Sequence, residues 1–485
     1  MANAEHLRRL VSGEWAEWRR ANPRLLPDFA DAALAGVDLS GVDLSRAVLV
    51  RANLEGADLR GTILTGAQVD GVRLQGACLD RADCSGVNFD LLDLPGTSFR
   101  NATLGKATFR GTDLTGCDLE GANLSDANLE GAILERAIVR NADLSRATLR
   151  GVRLDGAILA GVKLVDTVLE GAPLGGLDLS GANLEGAVLV RAQMGRTILK
   201  GARLDRAVLR EAVLVGADLE NATLHGTILQ LAALQGARLD GARLVGCDAH
   251  SADLRDVSLR GTVVERCHLM AANLSGLDLR VPTLTAPVLA KSNLTGCILA
   301  ECDLRGWRLD GTRLDGADLR GANLEGAVLD GASMQGVQAR GARFRKASLV
   351  RVSCQDADLS GCDLMLANLA GADFSNSDLR FSRLVGAEAP KARFAWADLR
   401  KADFSRALLR GAGFWGARTS GTKLPPSAWH WHVILLVSAL ASSAQRRRRE
   451  REQRERQRRM RDTVKMVRQL EEQDPRLRRG GGRRP

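Results

Sequence analysis

Ala52-Asn53-Leu54-Glu55-Gly56-Ala57-Asp58-Leu59-Arg60-Gly61 repeats itself after five residues. A small residue leads, Asn or Asp follows, leucine is third, a polar residue is fourth and glycine closes. Outward from this stretch the phase holds from Leu34 to Leu424. Every position ending in 4 or 9 is Leu or, less often, Phe, Met, Val, Cys, Ala or Thr. An α-helix repeats every 3.6 residues and a strand every two, so neither explains this spacing. A helix would carry the leucines round its whole circumference, and a flat strand would point them to both faces. A chain that turns a corner every five residues brings both recurring apolar positions inward. Four corners would close a coil of about twenty residues, and coils would stack at about 4.8 Å. The slot two residues before each leucine is small, as at Ala32, Ala47, Ala52 and Thr62, because a densely packed axis leaves little room beside four leucines. The period alone leaves the number of corners open.

The units Ala52 to Gly56, Ala57 to Gly61, Ala122-Asn123-Leu124 and Ala322 to Gly326 resemble the A(D/N)LXX unit of bacterial pentapeptide-repeat proteins. The resemblance covers roughly four-fifths of the chain. It implies an all-β solenoid, a right-handed quadrilateral β-helix, here of about 20 coils and about 95 Å long. Leu54, Leu59, Leu124 and Leu324 are then core. Phe374, Phe394 and Phe414 are spaced by twenty and stack in one corner, as do Phe89 and Phe109. The family hosts many roles, so the resemblance speaks to fold and not to function.

Four segments are expected. Residues 1–30 form a helical N-terminal cap, with Leu7, Leu10, Val11, Trp15 and Trp18 at helical spacing over Glu5 to Arg20 and Asn22-Pro23 stopping the helix. Residues 31–424 are the repeat β-helix. Residues 425–445 are an apolar segment that either caps the last coil or lies at a membrane interface, with Trp429 and Trp431 at the headgroups. Residues 446–485 are an Arg-rich helical region that ends in a disordered tail, and its apolar stripe from Met460 to Leu470 suits docking or homo-oligomer formation. No hydrophobic leader precedes the repeats, which reads as cytoplasmic, with a membrane-peripheral alternative.

The net charge of +10 lies in Arg446 to Pro485, which holds 17 basic and 7 acidic residues; the rest balances at 51 against 51. Arg446, Arg447, Arg448 and Arg449 are the candidate contact for an anionic partner, nucleic acid or lipid. Along the repeats, acids and arginines alternate as a solvated, neutral surface. Some family members occupy the DNA site of type II topoisomerases by charge mimicry, which needs a strongly acidic surface.

Eight of the nine cysteines occupy inward slots, Cys78 being the exception, so they read as fillers and not as metal ligands; the pair Cys247 and Cys267, flanked by His250 and His268, is the one place where a metal is conceivable. Pro282, Pro287 and Trp307 fall in small slots and mark a distorted zone, read as repeat decay repaired by repacking. A filled axis leaves no apolar cleft, and there is no Ser/His/Asp set with a supporting elbow, no phosphate loop and no converging histidines, so no catalysis, cofactor or metal is expected. The expected role is a non-enzymatic rod-like scaffold or protein-interaction module of unknown partner, with a gyrase-binding DNA mimic and a membrane-associated rod as alternatives.

Overall fold

The computed structural model describes residues 2–425. Trp429, Trp431, the apolar segment beyond Pro425 and the Arg446 to Arg449 run lie outside the described residues. The chain divides into two compact units. The first holds residues up to Asn323 together with Ala327–Ser333, and the second holds Leu324–Gly326 and the residues from Met334 onward.

In both units residue i pairs in parallel with residue i+20. Examples are Ala33 with Asn53 and Asp38 with Asp58 in the first, and Asp358 with Asp378 and Arg383 with Asp403 in the second. Four five-residue sides therefore make one coil. Each side contributes a short extended step. Leu34 N–H donates to Asn53 O at 2.8 Å, Gly36 N–H donates to Glu55 O at 2.9 Å, and Asn53 N–H donates back to Ala32 O at 2.9 Å. The chain then turns, with Ala57 N–H donating to Leu54 O at 3.0 Å. The turn needs a left-handed residue, Gly56 at φ 62°, which is why glycine closes so many repeats. Among the described residues three-residue strands form only at β1 (Arg243–Val245), β2 (Val263–Glu265) and β3 (Thr283–Thr285), paired parallel in that order.

The inward leucines are buried: Leu54, Leu59, Leu124 and Leu324 are at most 1% exposed. The phenylalanine columns form as spacing predicts. Phe89 stacks on Phe109 with centroids 5.0 Å apart, and Phe394 stacks between Phe374 (5.3 Å) and Phe414 (4.9 Å). Phe99 and Phe404, ten residues away along the chain, meet these columns edge-on.

Threonine and cysteine in the small slot are held by a bond that the spacing alone does not reveal. In most of them the side chain donates to the carbonyl 23 residues earlier, whereas Thr312 Oγ1 donates to Leu309 O at 2.7 Å. Thr62 Oγ1 reaches Leu39 O at 3.1 Å, Thr197 Oγ1 reaches Leu174 O at 2.7 Å, and Cys117 Sγ reaches Leu94 O at 2.9 Å. A buried hydroxyl without a partner costs about 1–3 kcal/mol, so this acceptor is what admits polar atoms to an apolar axis. Burial pushes the Cys117 and Cys362 thiols up to about 12. These cysteines are therefore satisfied donors rather than passive fillers. Cys302, in a small slot, is only half-buried, which corrects its reading as a core filler.

The axis is not filled throughout. An apolar cavity of about 40 Å³ opens in the first unit, lined among others by Leu229, Cys247, Ala249, Val264, Cys267 and Leu269. This corrects the expectation of a continuously packed core. Two large slots are short here, at Ala249 and Val264, and Leu259 and Leu284 are only half-buried. Ala339 and Ala389 are equally short, but Phe344 and Phe394 stand at the next corners. No phenylalanine occurs between Phe109 and Phe344 to compensate Ala249. The loosening thus begins before Pro282, Pro287 and Trp307, all three of which are buried. The cavity has no polar lining to hold water and is far below the roughly 300 Å³ of a substrate pocket. Ala249→Leu is expected to raise unfolding free energy by about 1–2 kcal/mol, and Ala389→Leu, beside Phe394, to lower it by about 1–3 kcal/mol through overpacking. Urea titration of both variants checks this; equal shifts of one sign would reject the cavity account.

The N-terminal segment is two helices, α1 (Ala4–Val11) and α2 (Trp15–Ala21), and not the single helix from Glu5 to Arg20. Gly13 at φ 80° breaks it after Ser12 N–H caps Arg8 O at 2.9 Å. Val11 points out, at 67% exposed, whereas Arg19 is 5% exposed. Trp15 packs on Trp18 (4.7 Å) and Phe29 (5.2 Å) and donates Nε1–H to Asp43 O at 2.8 Å.

Candidate interaction surface

With the interior occupied by aliphatic and aromatic side chains and by threonines and cysteines already bonded to backbone carbonyls, the remaining polar chemistry lies at outward positions. Many of the Asp and Asn residues there are already engaged by their own turn. Asp38 Oδ1 accepts Ser40 N–H at 2.9 Å, Asp143 Oδ1 accepts Ser145 N–H at 3.0 Å, and Asn368 Oδ1 accepts Ala370 N–H at 3.1 Å. These Asx turns explain the Asp/Asn preference before each leucine. A second set pairs with the arginine two residues on. Asp278 takes Arg280 at 2.9 and 2.7 Å, and Asp318 takes Arg320 at 2.8 and 2.6 Å. The Arg320 hydrogen bond holds the Asp318 carboxyl below the usual carboxylate range. Others pair along the stack, as Asp31 with Arg51 and Asp126 with Arg146. Such exposed pairs are screened by solvent, add little to stability and mainly solubilise the surface.

The balance of charge is not uniform. Residues 1–333 hold 36 basic and 43 acidic side chains, and residues 334–425 hold 15 basic and 8 acidic, so the zero sum conceals −7 against +7. In the second unit the excess collects on one side of the coils. Arg343, Asp363, Arg383, Asp403 and Lys423 form its central column by successive pairing. Beside them lie Arg345 and Met365, and at its corners stand Lys346, Leu366 and Arg406, and Phe381 and Lys401. Seven cations face three carboxylates there, Glu325 lying one coil before Arg345, a net +4. The full-length average of each face, near neutral, does not reveal this.

Sequence-predicted sites divide accordingly. The core leucines and phenylalanines stand where expected, whereas Arg446 to Arg449, Trp429 and Trp431 lie outside the described residues. Cys247 and Cys267 line the cavity, and Cys247 Sγ donates to Leu224 O at 2.6 Å. Among the described residues no cluster of three His, Cys, Asp or Glu side chains could hold a metal. No helix among them is long and apolar enough to cross a membrane. The spacing pattern did not mark Arg19, whose only signal was an arginine amid the Trp15–Trp18 pattern. Trp396 and Trp415 also went unmarked, although an outward Trp is visible in the sequence. The Trp396 ring covers Gly416 so closely that a Cβ there would lie 2.3 Å from it.

A family model described as pentapeptide repeats in eight copies matches in overlapping stretches that together take in residues 28–66, 70–161, 163–280, 288–387 and 391–424. No curated protein matches the chain. Among solved structures it is similar to HetL, a pentapeptide repeat protein involved in heterocyst differentiation regulation from the cyanobacterium Nostoc, at 26% identity over 53% of this chain and 95% of that one, with a TM-score of 0.20. It is also similar to QnrB1, a plasmid-mediated fluoroquinolone resistance protein, at 21% identity over 42% and 91%, with a TM-score of 0.20. A pentapeptide repeat protein of the Arabidopsis thaliana thylakoid lumen matches at 27% identity over 23% and 71%, with a TM-score of 0.14. The family match omits 281–287, the stretch that carries Pro282 and Pro287.

Proposed function

The chain belongs to the pentapeptide-repeat family, and from that premise we propose that it is a non-enzymatic scaffold or protein-interaction module whose right-handed quadrilateral coils present flat, regular faces to a partner. The observation that carries this reading is the division of labour within each repeat. Apolar side chains converge inward, and polar ones are spent on turns and ion pairs, which leaves among the described residues no site where a substrate could be held and activated. About 20 coils follow from the twenty-residue register. In this reading α1 and α2 cap the first coil, covering strand edges that would otherwise pair with another chain. The segment from 425 to 445 serves the last coil in the same way, and Arg446 to Arg449 contribute a tail contact to an anionic partner.

The DNA-mimic alternative, binding a type II topoisomerase such as gyrase, requires a strongly negative surface. Residues 1–333 carry only −7 over their whole length and residues 334–425 carry +7, which runs against it. Affinity capture with the full-length protein tests the module reading: discrete partners retained above background are expected, and none retained by either the full-length or an Arg446–Arg449→Gln protein would reject it.

A further inference from the structure

We propose that the basic side of the second unit, centred on Arg343, Lys346, Leu366, Phe381 and Arg406, binds an acidic polypeptide segment in which carboxylates alternate with apolar side chains. The inference rests on the protein-interaction reading and names the chemistry of the partner.

Charge is the first argument. This side carries a net +4, and Arg343, Arg345, Lys346 and Arg406 are exposed and make no ion pair among the described residues. By contrast two of the three carboxylates here already have cationic neighbours, Asp363 with Arg383 at 4.0 Å and Asp403 with Lys423 at 3.6 Å. Unpaired cations on a rigid face therefore await anions from elsewhere, and a positive patch meets its negative complement with gains chiefly in association rate and specificity.

Apolar exposure is the second. Leu366 is 51% and Phe381 57% exposed, and Met365 and Val385 are half-buried beside Leu366. Leu366 lies over Gly386, where a Cβ would come within 2.9 Å of it, so it is held against the backbone as part of a flat surface. A solvated cationic face has no use for such side chains. Leu366 stands between Lys346 and Arg406 in one corner column and Phe381 precedes Lys401 in the other, so apolar side chains flank the charged central column.

Spacing supplies the third. Lys346 and Arg406 stand three coils apart, about 14 Å. An extended peptide spans that distance in about four or five residues, with alternate side chains facing the surface. Single-stranded nucleic acid fits less well. It is recognised by stacking bases on open aromatic rings, but the only ring here, Phe381, has Lys401 Nζ over it at 5.2 Å, and its neighbours are aliphatic.

The test is fluorescence anisotropy on the full-length protein with a labelled sixteen-residue peptide of repeating Glu-Leu-Asp-Val. The same titration is run with labelled sixteen-residue oligothymidine and with phosphatidylserine vesicles. Saturable peptide binding is expected, weakened roughly tenfold or more by R343E/K346E/R406E and several-fold by L366S/F381S, and unchanged by Arg446–Arg449→Gln. The second variant leaves charge intact, and circular dichroism on each variant verifies the fold. Absence of peptide binding, loss of it only in the tail variant, or tighter face-dependent binding of the oligonucleotide or vesicles would each overturn the proposal. Partners still captured by R343E/K346E/R406E would reject this face while leaving the module reading in place; no captured partner at all would reject that reading itself.

Discussion

Phe394→Ala is expected to destabilise the second unit by about 3–5 kcal/mol, among the largest effects of any single side chain there. Phe394 is fully buried. Its ring lies nearly parallel to Phe374 (8°) and Phe414 (14°) and meets Phe404 edge-on at 5.5 Å. Alanine removes the middle of a three-ring column, and coils stacked by backbone bonds at fixed spacing cannot collapse into the gap. Phe394→Leu restores the commonest residue of that slot and is still expected to cost about 1–2 kcal/mol, because the next corner holds Ala389 and the ring fills space that two leucines would share. The double variant Phe394→Leu/Ala389→Leu should therefore be more stable than either single change, with a coupling of about 1–2 kcal/mol. Urea unfolding, followed by hydrogen exchange in residues 334–425, separates these outcomes. Strict additivity would mean that the two corners do not share volume.

Arg19→Ala is expected to release the N-terminal helices from the first coils at a cost of about 2–4 kcal/mol. The guanidinium is a hub. Nη1 donates to Leu25 O at 2.9 Å, Nη2 donates to Ser45 O at 2.7 Å and Ser45 Oγ at 2.9 Å, and Nε reaches Asp43 Oδ2 at 3.4 Å. Truncation strands two carbonyls at a site that is 5% exposed. Burial acts to raise the Asp43 carboxyl, but hydrogen bonds from Ser45 and the charge of Arg19 outweigh it, so Asp43 would lose part of its stabilisation too. Arg19→Lys keeps the charge but not the planar fork, and should recover less than half of the loss. Faster amide exchange over residues 4–50 is the measurement. Because a repeat stack is held by nearest-neighbour contacts, exchange beyond the first few coils should stay unchanged. A uniform rise across the first unit would show that the segment does more than close its own end.

Both expectations depend on features of unequal legibility. The phenylalanine columns were open to direct reading, because residues twenty apart share a corner once a coil has four sides. The buried leucines follow from the same rule. Arg19 was not legible, because its burial arises from α2 folding back over Asp43 and Ser45, 24 and 26 residues away, and nothing local announces that contact. The split helix was half legible. Gly13 is a visible breaker, yet the apolar spacing runs straight through it. The basic side of the second unit was present in the composition all along, but averaging each face over the whole length cancelled it.

The sequence by itself determined the architecture of the repeats, since a five-residue phase held from Leu34 to Leu424 admits only a chain that turns at every fifth residue and buries the recurring leucine. Tertiary structure alone decided where that rule is imperfect. Whether Ala249 leaves a void or Ala389 is filled depends on the side chain at the neighbouring corner. Whether Thr62 or Cys117 is satisfied depends on a carbonyl 23 residues away. Whether a cation is paired depends on which residues the twenty-residue register sets beside it. A period fixes direction, inward or outward, because backbone geometry repeats; volume, hydrogen bonds and charge are settled between coils, by residues that are distant along the chain.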